Sequence, residues 1–190
     1  MGRPRSFDED EAISAATHAF RAHGYARATP QMLADAIGIG KGSLYNAFGN
    51  KHNLFVACLQ RYSDEEYQGV LRQLEDDSTD LRSRIRAVFQ AAIDSDRIDS
   101  AGCLIVNTAA ENDHRDEQTR EIVEESLTRM RDAFVAVLRA GVVSGELDRD
   151  RDIDALADFL QCTLIGMRVI GRTSGADASK RLINAVVDQI

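Results

Sequence analysis

Residues 28–55 read Ala28-Thr29-Pro30-Gln31-Met32-Leu33-Ala34-Asp35-Ala36-Ile37-Gly38-Ile39-Gly40-Lys41-Gly42-Ser43-Leu44-Tyr45-Asn46-Ala47-Phe48-Gly49-Asn50-Lys51-His52-Asn53-Leu54-Phe55. Thr29 is an N-cap residue and Pro30 fits the first helical position, where its missing N–H costs nothing. Gly38 permits a left-handed turn, and a second short helix spans about Lys41 to Phe48 before Gly49. Asn50 then caps a longer helix whose inner side carries Leu54, Phe55, Cys58, Leu59 and Tyr62. Two short helices crossed over a glycine turn are the geometry that presents one helix end to the DNA major groove.

The pattern continues outward on both sides as helix. Asp8 with Glu11 three residues on starts a helix to about His23, with Gly24 as its stop. Ile13, Ala16, Thr17 and Phe20 fall on one face of it. Beyond residue 66 the segments are longer and amphipathic. Leu81, Ile85, Val88, Phe89 and Ile93 mark one, and the nearly apolar run 102–111 a second. Ile122, Ser126, Met130, Phe134, Val137 and Gly141 mark a third. Ile153, Leu156, Phe159, Leu160, Thr163, Leu164 and Met167 mark a fourth, and residues 176–190 a last. With two prolines in 190 residues and little strand-like alternation, the fold class is all-α.

Composition sets limits. Apolar residues make up 44% of the chain, which suits a folded globular protein. No apolar run is long enough to cross a membrane and no signal peptide is evident, so a cytoplasmic location is expected. Cys58, Cys103 and Cys162 are scattered, which indicates neither a disulfide framework nor a zinc site. They read as reduced thiols, with oxidant sensing left open. His18, His23, His52 and His114 form no metal constellation. No paired carboxylates, nucleophile–histidine arrangement or phosphate loop points to an enzyme, and no cofactor is called for.

The net charge of −8 is unusual for a DNA binder, but it is unevenly spread. Residues 1–60 carry +1 and the remainder −9. Four of the six cations in the first stretch are Arg3, Arg5, Lys41 and Lys51, so a local basic footprint is present. Within the helix-turn-helix, Ile39, Leu44 and Phe48 face inward. Gln31, Lys41, Gly42, Ser43, Tyr45 and Asn46 face outward. Gln and Asn pair bidentately with adenine, and Lys suits guanine or phosphate. Gly42 lets the backbone approach the groove, and the Tyr45 and Thr29 hydroxyls can meet phosphate. Lys51 sits at a helix N-terminus, where free N–H groups also favour an anion. Arg3 and Arg5 form a basic arm suited to phosphate or the minor groove.

Phe20, Gly24 and Tyr25; Thr29; Leu33-Ala34; Gly38-Ile39; Gly42-Ser43-Leu44-Tyr45; Phe48; and Lys51 with Leu54-Phe55 together resemble the DNA-binding domain of the TetR family of transcriptional regulators. The resemblance covers residues 6–66, with the motif at about 29–48. Two positions depart from the family pattern: Gly40 stands where a capping Ser or Thr is common, and Gln31-Met32 replaces an aliphatic-plus-charged pair. The resemblance implies a DNA-binding domain at 6–66 and an effector-binding and dimerisation domain at 67–190. It implies a homodimer acting on a near-palindromic double-stranded operator, released by a small-molecule effector. An effector-independent or activating regulator of the same fold is the alternative.

A ligand pocket is then expected among helices five to seven. Its candidates are Val88, Phe89, Ile105, Asn107, Thr108, Glu111, Ser126, Met130 and Phe134. Apolar residues at this spacing usually fill a core. Asn107, Thr108 and Glu111 differ, because polar groups on an apolar helix need a partner: ligand, backbone or water. The last two helices carry apolar stripes suited to a four-helix dimer contact, from Leu156, Phe159, Leu160, Leu164 and Met167 and from Leu182, Ile183, Val186 and Val187. Packing within the chain is the other use for them.

Overall fold

The structure, a computed structural model, describes residues 7–99, 101–111, 116–170 and 176–190. Among these, nine helices and no strand are found. They are α1 (Glu9–Arg27), α2 (Pro30–Ile37), α3 (Lys41–Phe48), α4 (Lys51–Leu74), α5 (Leu81–Asp99), α6 (Leu104–Ala110), α7 (Glu117–Ser144), α8 (Ile153–Ile170) and α9 (Ala176–Val187). The chain divides into two compact units. The first joins Met1–Asp64 to Cys103–Val123, and the second joins Glu65–Gly102 to Glu124–Ile190. The boundary expected from the sequence, at 66/67, falls within α4, and residues 103–123 group with the first compact unit. Short α6 packs on α1, because Leu104 and Ile105 bury in the first unit.

The first unit is built around α1. Asp8 caps it, its carboxylate accepting the amides of Asp10 at 2.8 Å and Glu11 at 3.2 Å. Ala12, Ala16 and Phe20 supply its buried stripe. Phe20 meets Phe55 of α4 edge-on at 4.9 Å between centroids, and Tyr25 lies 4.7 Å from the same ring. Such aromatic pairs add about 0.5–1.5 kcal/mol beyond area burial. The helix does not end at Gly24 as its sequence suggests. It breaks there, with φ 74° and ψ 163°, and resumes for one more turn to Arg27. Only glycine tolerates that backbone region.

The second unit has its own core. Val70, Leu74, Leu81, Ile85, Val88, Phe89, Phe134, Leu138, Leu160 and Leu164 are among its buried members. α5 packs against α8 and α9, and α8 against α9. Polar links fasten the ends. The Glu146 carboxylate accepts the Leu81 amide at 2.6 Å, capping α5 from the turn after α7. Arg168, nearly buried, bonds to Glu66. Arg131 bridges to Asp154 and Asp158 on α8.

Two stability outcomes follow. Gly24→Ala should lower the unfolding free energy by about 1–3 kcal/mol, the usual cost of a residue held in forbidden backbone space. Thermal or urea unfolding measures this, and an unchanged midpoint would contradict the break. The second concerns Cys58, which is fully buried and donates to the Ile13 carbonyl at 3.5 Å. Burial pushes its thiol up to about 11 from an ordinary value of 9.0, outweighing the opposing hydrogen bond with Thr17. The unfolded chain therefore ionises first as pH rises. Stability from this residue is fully present below pH 9 and falls between 9 and 11. Urea titrations across that range should show a steeper loss for the wild type than for Cys58→Ala.

Candidate nucleic-acid interface

The α2–α3 pair is set by local chemistry at each end. The Thr29 hydroxyl accepts the Met32 amide at 3.2 Å, and Pro30 follows it. Gly38 ends α2 in the left-handed region, at φ 78° and ψ 27°. The Ile39 amide then bonds back to the Ala34 carbonyl at 3.0 Å, which closes the turn. α3 starts from Gly40 without any side-chain cap, so its first amides remain open toward whatever approaches them.

Leu44 is the buried residue of α3. Lys41, Gly42, Ser43, Tyr45 and Asn46 are all exposed, Tyr45 to 42%. One face of an eight-residue helix thus presents an ammonium, a hydroxyl, a phenol and a carboxamide. These are the groups that read base edges and phosphates. Phe48 is half-buried at the far end, 6.4 Å from Phe7. Gln31 is exposed, but its amide donates to Asp35 one turn on at 2.7 Å. Thr29 is exposed and already caps α2. Arg3 and Arg5 lie outside the described residues.

Lys51 opens α4, whose first turn is capped by Asn50 accepting the Asn53 amide at 2.8 Å. A cation at a helix N-terminus is unfavourable for that helix, while an anion there is favoured. The Lys51 ammonium lies 4.4 Å from the centre of the Tyr25 ring. Burial lowers its pKa below the ordinary lysine value, and the Glu111 carboxylate partly offsets this. A partly desolvated cation at a helix N-terminus has the chemistry to receive a phosphate. The ring beneath Lys51 and the acid beside it are not displayed by local sequence, since the first depends on how α1 meets α4 and the second on where α6 packs.

The other sequence-derived candidates separate between the two units. Ile105, Asn107, Thr108 and Glu111 belong to the first. Ile105 is buried, the Thr108 hydroxyl donates to the Leu104 carbonyl at 2.7 Å, and Glu111 accepts the Tyr25 amide at 3.0 Å. Asn107 is half-buried. Val88, Phe89, Ser126, Met130 and Phe134 belong to the second unit. Val88, Phe89 and Phe134 are core residues, and Ser126 and Met130 are half-buried. Of the α8 and α9 stripes, Leu156, Leu160, Leu164, Met167, Ile183, Val186 and Val187 bury in the chain's own core. Phe159 and Leu182 remain exposed, as do Val169 and Ile170 at the end of α8. His52 faces Asp116 at 3.5 Å. Among the described residues no cluster of His, Cys, Asp or Glu is placed to hold a metal. No described helix is long and apolar enough to cross a membrane.

Comparison with known proteins agrees with this geometry. Residues 12–58 match the family described as bacterial regulatory proteins, tetR family, and residues 64–186 match the tetracyclin repressor-like C-terminal domain. The HTH-type transcriptional repressor ComR of Escherichia coli (strain K12) is 31% identical, over 94% of this chain and 86% of ComR. The uncharacterized HTH-type regulator YezE of Bacillus subtilis (strain 168) is 29% identical, over 92% of this chain and 91% of YezE. Among solved structures, the TetR family regulator CifR, a cysteine mutant complexed with 26-bp double-strand operator DNA, superposes with a TM-score of 0.83. It is 29% identical, and the match covers 98% of this chain and 97% of CifR. The capped and turned α2–α3 pair, its polar face and the two family matches spanning residues 12 to 186 have one explanation: this chain belongs to the TetR family of DNA-binding transcriptional regulators.

Proposed function

We propose that the chain is a ligand-responsive repressor that binds a near-palindromic operator as a homodimer. The observation that carries this reading is the division of α3 into one buried anchor, Leu44, and an exposed face of Lys41, Gly42, Ser43, Tyr45 and Asn46. The similar CifR is complexed with operator DNA, and the similar ComR is named a repressor. Two copies of α3 would enter successive major grooves roughly 34–36 Å apart. Asn46 and Lys41 would read base edges, Ser43 and Tyr45 would meet phosphates or bases, and Lys51 a phosphate. Arg3 and Arg5 would follow the backbone. Exposed Phe159 and Leu182 support a partner copy on α8 and α9, since apolar rings and chains in water favour burial against a second surface.

The effector would bind in the second unit among α5, α7 and α8. Half-buried Ser126 and Met130 beside the Phe89 and Phe134 core offer an adaptable apolar lining with one hydroxyl. It would act only through different affinities for the DNA-competent state and another state.

The test is footprinting of DNA from the chain's own upstream region, followed by affinity measurement on the protected duplex. Lys51→Ala should weaken all duplexes alike and reduce the salt slope by about one unit. Asn46→Ala should cost about 1–3 kcal/mol and relax preference at one base position. Equal effects of the two variants on salt slope and specificity would count against these roles. Titrating the operator complex with candidate metabolites should release it, whereas a complex that resists every one would point to an effector-independent regulator.

A further inference from the structure

Two charges in the first unit stand at the wrong ends of their helices. Glu111 follows the last turn of α6, its amide bonding to the carbonyls of Asn107 at 3.0 Å and Thr108 at 3.3 Å. A carboxylate at a helix C-terminus opposes the macrodipole. Lys51 is the first residue of α4, where a cation opposes it as well. Neither helix gains from its own charge, so each charge has its use elsewhere.

That use lies at the break in α1. After Gly24 the backbone starts a fresh turn, closed by the Ala28 amide bonding to the Gly24 carbonyl at 3.1 Å. The first amides of such a turn have no partner within it. Glu111 supplies one from outside, accepting the Tyr25 amide at 3.0 Å. It reaches that amide across Gly24, where a methyl group would run into its Oε1. Tyr25 in turn holds its ring 4.7 Å from Phe55 and carries the Lys51 ammonium 4.4 Å from its centre. One carboxylate therefore fixes the backbone on which the Lys51 platform stands.

We propose that Glu111 is a positioning residue for operator binding: its carboxylate serves as the missing N-cap of the last turn of α1 and thereby holds Tyr25 beneath Lys51. The proposal rests on the operator-binding reading above and adds a residue that touches no DNA in it. It separates the two properties of the side chain. The acceptor oxygen organises the site and favours binding. The negative charge, close to where a phosphate must sit, opposes binding.

Glu111→Gln keeps an acceptor and removes the charge, whereas Glu111→Ala removes both. Residue 111 is exposed, so neither change opens the core. Amide exchange on the full-length free chain should show Tyr25 protection lost in Glu111→Ala and kept in Glu111→Gln. On the footprinted duplex, Glu111→Ala should bind about three- to tenfold more weakly than Glu111→Gln, the worth of one hydrogen bond. Glu111→Gln should bind as tightly as the wild type or tighter. Equal affinities for the two variants, or Tyr25 protection unchanged in Glu111→Ala, would overturn the proposal. Absence of DNA binding by the wild type would instead overturn the regulator reading, and the exchange measurement would still judge the cap.

Discussion

An eight-residue helix does not hold itself together in water, because nucleation costs more than two turns return. α3 has further handicaps, with glycine at its cap and again at its second position. What keeps it helical is Leu44, fully buried in the first unit. Removing a buried leucine usually costs about 2–5 kcal/mol, far more than so short a helix holds on its own. The geometry of the DNA-facing side chains therefore depends on one apolar contact made on the opposite face. The core that receives it is ordered by Phe20, Tyr25 and Phe55, which fix the end of α1 against the start of α4. Recognition is built on a surface that the core, not the helix, makes rigid.

Local signals carried most of the fold. The Asp8, Thr29 and Asn50 caps each form the hydrogen bond their residue type and position suggest. Gly38 takes the left-handed conformation its place between two apolar runs demands. These features depend on neighbours within four residues, so sequence displays them directly. Gly24 illustrates the limit. Glycine after an amphipathic run reads as a stop, but the chain resumes because a distant carboxylate satisfies the restarted turn. α6 illustrates it again, since its helix starts at Leu104 where the apolar run starts at Gly102, a residue with φ 71°. Periodicity names a face to be buried without naming what buries it. For that reason the stripes on α8 and α9 did not distinguish a neighbouring helix from a second copy, and Glu111 did not display its partner.

The charge pattern suits the same division of labour. The acidic remainder of the chain is laced by ion pairs such as those of Arg131 with Asp154 and Asp158. Exposed pairs of this kind contribute little to stability. Their collective sign matters more, because an acidic surface is repelled by a polyanion, whereas Lys41 and Lys51 give the helix-turn-helix region local cations.

The first unit is made from two stretches of chain, Met1–Asp64 and Cys103–Val123, with another stretch running between them. This bears on how such proteins can be recombined. A graft that exchanges only the N-terminal segment between two relatives would keep the host's α6 against the guest's α1. The host's Glu111 would then face a foreign backbone, and its Leu104 and Ile105 would meet an unfamiliar surface. A working chimaera needs both stretches transplanted together, so the natural seam of this protein is spatial and does not coincide with any single point along the sequence.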